Sequence, residues 1–580
     1  MANYQRLLRV ARGDELADLV IHNAMLLNVA TRDQHPATVG ICEDVIAYVT
    51  APNDSHREGR QVIDATGQWI APGLIDSHMH IESTHVTPDH FANAVLPLGI
   101  TTVAQDPHEI ANVLGMEGVK YMMSASRGLA LRVLTFVPTC VPAVPGLETS
   151  GACFGAQEVA SLLREPGAIG LAEVMDYWGV IRQSPRISEI VKVGRERGVI
   201  LTGHIRGLNG RELNTYLAAG IDSDHEWLTP EGILARARLG MTVEICCCAH
   251  RDNIEAAVES WRQRGHLEGA VFVTDDIPPH ELVRGGHLDR GVRKAIALGR
   301  APVDAVRAAT LAPAQRLRRY DLGMVAPGRT ADLIVLSDLR SFQVHLTIAS
   351  GTLVARDGAM VQPAQSSSPP PDSAPFSVHV DPPSSRDYAL CGTGHHAAAQ
   401  VLTQRGRSLE RRMLPVEQGR ISWQGQPDLA LAAVWHRHGR NRNRFAALIS
   451  GTGLREGALA TTYAHDSHNL VVVGRNPEDM ALAARTLIAS GGGYAAVAHG
   501  QILALAALPV AGILAARPVS ELAREFGQFT QAAAGLGLTD NAIGLLTSLP
   551  LPVVPSFRPT DMGLVDVEKQ IIIPAFEFVE

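Results

Sequence analysis

Short runs of alternating hydrophobic and polar residues occur near both ends of the first 360 residues. They include DLVIHNAMLLNVA and TVGICEDVIAYVT within residues 17–71, and TADLIVLSDL and VHLTIASGTLVARDGAMV within 322–361. Turn residues separate the runs, and an alternation with a period of two predicts half-buried β-strands. We therefore predict one small composite β-sandwich domain, formed by residues 1–71 and 311–362 and interrupted by everything between them.

The middle of the chain alternates strand-like and helix-like segments. Helical patterns such as PDHFANAVLPLG and ISEIVKVGRERG lie between apolar runs, which is typical of parallel α/β proteins. Eight runs of this kind over about 200 residues predict a (β/α)8 barrel at 72–310. The predicted strands are 73–81, 101–106, 131–138, 168–175, 199–204, 221–226, 241–247 and 271–276.

The remainder of the chain divides at a segment rich in proline and serine. Residues 363–386 (PAQSSSPPPDSAPFSVHVDPPSSR) lack periodicity, which predicts either a domain linker or a mobile surface segment. Beyond it, 387–580 contain a strand-like VVVG at 471–474 and a helix-like run at 478–493. We predict an additional C-terminal α/β domain there.

Composition and charge narrow the class of partner. The chain has 46% hydrophobic and 19% charged residues, which is ordinary for a globular protein, and its net charge of −8 argues against a nucleic-acid partner. The sequence shows no apolar signal-peptide core and no uncharged run of membrane-spanning length. Seven cysteines without a C-x-x-C pair predict reduced thiols. We expect a cytoplasmic protein with no membrane partner.

Metal-ligating residue types stand where five of the predicted barrel strands end. The C-terminal ends of the strands of such a barrel meet at one mouth, and H-x-H places both imidazoles of the first strand on one face. Four histidines and two carboxylates exceed what one cation needs, so we predict a binuclear divalent metal site. The six residues are His78, His80, Glu173, His204, His225 and Asp275. Cys246–Cys248 alternate along a strand and are interpreted as buried thiols, since they cannot all face one ion.

Longer phrases carry a family resemblance. PGLIDSHMHIES, the order of the six candidate ligands, and LGMVAPGRTADLIVL resemble the amidohydrolase superfamily. QDPHEIANVLG at 105–115, GLAEVMDYWGVI at 170–181 and AHDSHNLVVVG at 464–474 resemble bacterial adenine deaminases more narrowly. The resemblance implies hydrolysis of adenine, a small-molecule purine, to hypoxanthine and ammonia at a binuclear Mn²⁺ or Fe²⁺ centre. A homodimer is a further expectation.

The resemblance also implies a role for each ligand. His78, His80 and Asp275 would hold one metal and His204 and His225 the other, with Glu173 as the bridge. Asp275 would accept the proton of the attacking hydroxide and pass it to the departing amine.

A second acid should protonate the purine ring at N1. Either His108 or Glu109 of the DPHE phrase is the candidate. The alternative interpretation is that this phrase only caps the loop after the second strand.

Three other phrases are candidate parts of the site or of its surroundings. His465, His468 and Asn469 of the HDSHN motif are predicted to fold over the barrel mouth and contact the purine, the alternative being a hydrogen-bonded surface turn. Arg206 directly follows a candidate ligand and is expected in the pocket. HRHGRNRNR, which begins at His436, is interpreted as a solvated basic patch.

Two competing functions stay open at this point. Arg206, His85 and Cys246–Cys248 depart from the family's pattern, so the substrate could be an N6-substituted purine or another cyclic amide or amidine. A barrel that has lost catalysis and serves in binding or assembly is the other alternative. The presence of all six candidate ligands argues against that second alternative.

Overall fold

A computed structural model describes residues 3–52, 58–226, 228–248, 251–265, 268–539 and 541–579. After the helix Tyr4–Arg12, strands from both ends of the first 360 residues form one nine-stranded sheet. The junction is the antiparallel pairing of Trp69–Pro72 with Leu333–Asp338. The remaining strands are Ala17–Asn28, Asp33–Cys42, Val45–Thr50, Gly59–Asp64, Gln343–Ala349, Thr352–Arg356 and Ala359–Met360.

Eight parallel strands form the barrel, and all eight predicted runs are confirmed as strands. The barrel closes where the first strand meets the eighth, because the amide of His80 donates to the Asp275 carbonyl at 3.2 Å and that of Asp275 donates to the His78 carbonyl at 3.1 Å. In chain order the barrel strands are Leu74–Met79, Ile100–Gln105, Arg132–Pro138, Ala168–Val174, Ile200–Gly203, Ser223–Asp224, Thr242–Cys248 and Ala270–Val273.

Helices surround the barrel and bury their apolar faces against its strands. The α/β class is therefore confirmed. The predicted domain boundary at residue 311 falls at the start of the helix Leu311–Arg316, which packs against the first and eighth barrel strands. The other helices of this region are Pro88–Val95, His108–Ala125, Ala156–Leu162, Tyr177–Arg182, Pro185–Glu196, Gly210–Ala218, Pro230–Arg238, Ile254–Arg264, Pro279–Gly285, Leu288–Ala297 and Pro302–Ala308.

The C-terminal region contains a ten-stranded, mostly antiparallel sheet and a separate three-stranded sheet. The helices Pro477–Ser490, Val519–Gly535 and Ala542–Ser548 accompany them. The strands of the large sheet are His396–Thr403, Ser408–Glu417, Arg420–Ile421, Leu429–Trp435, Arg444–Ser450, Ala458–Thr461, Leu470–Gly474, Gly493–Ala498, Gln501–Ala507 and Phe576–Val579. Those of the small sheet are Phe557–Thr560, Gly563–Asp566 and Ile571–Ile573.

The proline- and serine-rich segment at 363–386 packs against both neighbouring regions. The backbone of Ala364 exchanges two hydrogen bonds with the Asn93 side chain on a barrel helix. Farther along, the buried Ala374 accepts a hydrogen bond from the amide of Ala511 in the C-terminal region. Among the residues that the structure describes, none of the helices combines the length and apolar character needed to cross a bilayer.

Candidate active site

The six candidate ligands meet at the C-terminal mouth of the barrel, where each is at most 6% exposed. Glu173 lies between two pairs of imidazoles. Its Oε1 is 3.2 Å from His78 Nε2 and 3.0 Å from His80 Nε2. Its Oε2 is 2.6 Å from His204 Nδ1 and 3.3 Å from His225 Nε2. One carboxylate therefore faces four imidazole nitrogens from three other strand ends, as a bridging ligand would.

Asp275 completes one of the two groups. Its Oδ1 lies 3.4 Å from His78 Nε2 and 3.2 Å from His80 Nε2. These two imidazoles, Asp275 and Glu173 place one ligand atom each within 4.8 Å of one another, and Glu173, His204 and His225 do the same. The geometry thus offers two overlapping sets of nitrogen and oxygen donors that share Glu173.

The chemistry of these donors fits cations. His80 Nδ1 lies 2.8 Å from the backbone carbonyl of Asp106, which can only accept, so the ring carries a proton on Nδ1. Its Nε2 lone pair then faces Glu173 Oε1 at 3.0 Å, and two acceptors at that distance repel unless a cation or a second proton lies with them. Residues of this kind fit two divalent metal ions.

The electrostatics of the site point the same way. Burial and the nearby His225 oppose a charge on His78, yet the Asp275 and Glu173 carboxylates raise the His78 pKa to about 9. Burial also opposes ionisation of Glu173, but the surrounding imidazoles, His225 first, hold the pKa of its carboxyl well below its usual range. The pocket therefore stabilises positive charge beside its carboxylates.

Three buried acids that the sequence analysis did not single out lie behind the histidines. Glu244 Oε2 is 3.6 Å from His225 Nδ1, and Glu226 Oε1 is 3.0 Å from His204 Nε2. Asp76 accepts hydrogen bonds from the amide and hydroxyl of Thr274. Carboxylates placed as those of Glu244 and Glu226 orient ligating imidazoles, whereas Asp76 accepts from the backbone amide of His78. The available signals were an acid inside the apolar run MTVEICC, and Asp76 two residues before His78.

The second cluster of the mouth is centred on Glu109, which is 0% exposed. The HDSHN motif reaches it from the C-terminal region. His465 Nδ1 lies 2.7 Å from Glu109 Oε1, Tyr463 donates its hydroxyl to the same oxygen at 3.2 Å, and His468 Nε2 contacts Oε2. The motif is therefore no surface turn, and its imidazoles hold a barrel carboxylate.

Asn469 and His468 do not line the cavity, contrary to the prediction that they contact the purine. The amide of Asn469 is turned away and donates to the backbone carbonyl of Thr149 at 2.9 Å and to Asp561 at 3.3 Å. His468 is fully buried behind Glu109. His465 does line the cavity.

His108 stands at the start of a barrel helix, directly after the second strand and its short loop. Its Nδ1 lies 2.9 Å from Asp106 Oδ2, and its Nε2 lies 3.6 Å from Glu109 Oε1. Both His108 and Glu109 line the cavity beside the candidate metal ligands. The DPHE phrase therefore faces the site, although it also forms the beginning of the helix His108–Ala125.

The cavity above the candidate ligands has a volume of about 340 Å³. That volume lies at the low end of the range for small-molecule pockets and suits a compact ligand. Arg206 lines its wall, and its Nε lies 2.5 Å from Glu226 Oε2. Residues of the C-terminal region, including Ile543 and Leu551, cover the opposite side.

The prediction of a solvated basic patch at HRHGRNRNR was wrong for its first residues. His436 and Arg437 are buried, and Arg437 donates to the carbonyls of Ser377 at 2.9 Å and Ala511 at 3.0 Å, and to that of His468. The burial of these residues was not predicted, because a run of basic residues is typical of an exposed surface. The carbonyls that accept from Arg437 lie far away in the chain. Cys246–Cys248 are confirmed as buried thiols of the seventh strand.

Two family models match the chain, and several known proteins are similar to it over most of their length. The amidohydrolase family model matches residues 69–354, and the model of the adenine deaminase C-terminal domain matches residues 403–571. The chain is 41% identical over 533 residues to the adenine deaminase of Klebsiella pneumoniae (strain 342), covering 90% of this chain and 87% of that protein. It is 39% identical over 581 residues to the adenine deaminase of Serratia proteamaculans (strain 568), covering 98% and 97%. The adenine deaminase of Moorella thermoacetica is also 39% identical, with 97% and 96% covered.

Proposed function

Because the chain belongs to the adenine deaminase family, we propose that it hydrolyses adenine to hypoxanthine and ammonia. The observation that carries the proposal is the position of Glu173 between two pairs of imidazoles, with Asp275 beside one pair, at the floor of a small cavity. An intact set of six ligands argues against a barrel that only binds or assembles.

The metal centre would be held by this chain as two overlapping sets. His78, His80 and Asp275 would hold one divalent cation, His204 and His225 the other, and Glu173 would contact both. When bound, such cations supply the Lewis acidity that makes water nucleophilic near neutral pH. Imidazole and carboxylate donors without a thiolate support Mn²⁺ or Fe²⁺ as the native metals.

Asp275 is placed to move a proton during the reaction. Its carboxylate is 2% exposed, and the closure of the barrel fixes its backbone between His78 and His80. Adenine C6 must receive oxygen while its amine leaves as ammonia, so one proton has to travel from water to the amine nitrogen. Asp275 accepts that proton and returns it to the leaving group.

The purine ring must also be protonated for C6 to accept electrons, and the mouth offers a group for this. His108, held at Nδ1 by Asp106, presents Nε2 beside Glu109 in the cavity and is placed to protonate N1. Contacts from His465, His468 and Tyr463 keep Glu109 as a carboxylate, although burial opposes its ionisation. Glu109 then orients the substrate by accepting a hydrogen bond from it, and His465 and Arg206 form the wall around it.

The decisive test is ammonia release from adenine by protein loaded with Mn²⁺ or Fe²⁺, followed together with the absorbance change to hypoxanthine. We expect robust turnover in the wild type and a loss of roughly a thousandfold or more in Glu173→Gln, which removes the shared negative charge. Protein that holds two metal ions but releases no ammonia from adenine would contradict the proposal.

A matched substrate separates the nearest alternative within the same chemistry. N6-Methyladenine would give hypoxanthine and methylamine through the same attack at C6. Faster turnover of that compound than of adenine would mean that the preferred substrate is an N6-substituted purine. A homodimer and a cytoplasmic location stay predictions from the sequence.

A further inference from the structure

A mixed cluster of nitrogen, sulfur and oxygen donors lies beside the binuclear site, where the barrel meets the C-terminal region. His108 begins the helix after the second barrel strand, Cys140 follows the third strand, and Asp466 belongs to the HDSHN loop. One donor atom from each residue lies within 4.8 Å of the other two, and each residue is at most 3% exposed. Three chemically different ligands from three segments therefore face one small volume.

The orientation of His108 is that of a metal-ligating imidazole. Its Nδ1 lies 2.9 Å from Asp106 Oδ2, the carboxylate–histidine contact that fixes the ring and leaves Nε2 for a metal. Nε2 is 3.9 Å from Asp466 Oδ1 and 3.6 Å from Glu109 Oε1, too far for a hydrogen bond to either. Zinc bonds of about 2.0–2.3 Å place neighbouring ligand atoms at separations of this order.

Asp466 supplies an independent indication that a cation belongs there. The side chain is 1% exposed, and its Oδ2 has no hydrogen-bond partner within the described parts of the chain. Burial and the neighbouring Glu109 carboxyl raise the pKa of Asp466 to about 6, although the His108 and His465 imidazoles, 3.9 and 3.8 Å from its Oδ1, oppose this. A buried carboxylate oxygen without a hydrogen bond is costly unless a cation binds it directly. A divalent ion between Asp466, His108 and Cys140 would do so.

The thiol distinguishes this cluster from the binuclear site, whose six ligands are all nitrogen or oxygen donors. Thiolate together with imidazole and carboxylate favours zinc-like cations, which bind sulfur more readily than Mn²⁺ does. We propose that His108, Cys140 and Asp466 form a third, thiophilic metal site that binds Zn²⁺ and joins the barrel to the HDSHN loop. Because His108 also faces the substrate cavity, occupancy of this site inhibits deamination.

The test uses the full chain loaded with two equivalents of Mn²⁺ and then titrated with Co²⁺, whose thiolate complexes absorb by charge transfer in the near ultraviolet. We expect one additional equivalent of Co²⁺, with both manganese ions retained, and the appearance of that absorption. Cys140→Ser should lose the absorption and the extra equivalent. Cys42→Ser, at a thiol equally buried in the nine-stranded sheet, should keep both.

A parallel titration with Zn²⁺ tests the inhibition. Turnover of adenine by wild type and Cys42→Ser should fall as the extra equivalent binds, while Cys140→Ser should need at least roughly tenfold more Zn²⁺ for the same loss. Asp466→Asn keeps the thiol and should weaken binding of the extra ion by a similar factor, so it decides the matter if Cys140→Ser does not fold. No thiolate absorption in wild type, the same absorption in Cys140→Ser, or equal inhibition of all variants would each overturn the proposal.

Discussion

The barrel and the HDSHN loop both present buried imidazoles to a buried carboxylate, yet the two arrangements serve different ends. In the barrel, the Nδ1–H of His80 donates a hydrogen bond to the Asp106 carbonyl, so the unprotonated Nε2 of the ring faces Glu173. In the loop, the amide of Ala464 donates to His468 Nδ1 at 3.2 Å, so the ring carries its proton on Nε2 and donates it to Glu109. One backbone contact decides which nitrogen keeps the lone pair.

The difference separates a metal ligand from a positioning residue. Burial first of all, together with the cations His465 and Arg437, lowers the pKa of His468 to about 4, although Glu109 opposes this. A neutral donor satisfies Glu109 without any ion. The carboxylates around His80 instead raise the pKa of its ring well above the ordinary value, against burial and against His108. The Nε2 atom of His80 therefore needs a proton or a metal cation beside it, whereas His468 satisfies Glu109 as a neutral ring.

The strongest test of this comparison removes the unprotonated Nε2 of His80. His80→Asn should lose bound metal and lower turnover of adenine by roughly a thousandfold or more, because the nucleophile then lacks its Lewis acid. Metal content by atomic emission and kcat for ammonia release are the measurements. Retention of both metals with near-normal turnover would show that His80 is not a ligand.

The corresponding change in the loop should leave the metals in place. His468→Ala removes the hydrogen bond that orients Glu109, and we expect turnover to fall by roughly a hundredfold with unchanged metal content. His468→Gln offers an amide N–H at a similar reach and should recover a substantial part of the loss. Equal damage in both variants, or loss of metal in either, would argue against a positioning role.

A smaller effect is expected from the carboxylate behind His225. Glu244→Gln keeps the shape of the side chain but removes the charge 3.6 Å from His225 Nδ1. Metal affinity should fall by about 10–100-fold, as is typical of such outer partners, while kcat at saturating metal changes little. Titration of the metal-free protein with Mn²⁺ measures the first quantity. A large loss of kcat with unaltered affinity would place Glu244 in another role.

The eight barrel strands could be predicted because buried parallel strands read as short apolar runs, and the helices between them mark the boundaries. The ligands could be named because barrel chemistry collects where strands end. Glu173, His204 and His225 each stand at such an end, and no folding information beyond strand order was needed to bring them together.

Contacts between distant segments were not predictable in this way. The local sequence predicts a solvated Arg437. The carbonyls that accept its hydrogen bonds belong to Ser377, His468 and Ala511, which lie in distant segments that no local pattern connects. The position of Asn469 beside His468 predicts a purine contact, yet its side-chain amide donates to Thr149 and Asp561 instead. Glu244 lies inside a strand rather than at its end. Direction of a side chain is set by tertiary packing, and periodicity alone does not reveal it.

The smallest effect on turnover, with a clear effect on stability, is expected at Arg437. Its guanidinium joins the HDSHN loop to the 363–386 segment, so Arg437→Met leaves several buried carbonyls without a donor. We expect a loss of about 3 kcal/mol from hydrogen bonds to a charged group. This should lower the unfolding midpoint of the C-terminal region by roughly 5–10 °C in calorimetry.

Arg442→Met in the same phrase is the matched control. Its side chain is 92% exposed and only 3.9 Å from an equally exposed Asp381, so its removal should shift the midpoint by less than about 1 °C. Well below both transitions, the two variants should deaminate adenine within about tenfold of wild type, because neither touches a metal ligand or the cavity. Equal midpoints for the two variants would mean that the buried arginine adds no more than the exposed one. The other contacts of the loop, such as those of His465 and His468 with Glu109 and of Asn469 with Thr149, would then suffice to hold it in place.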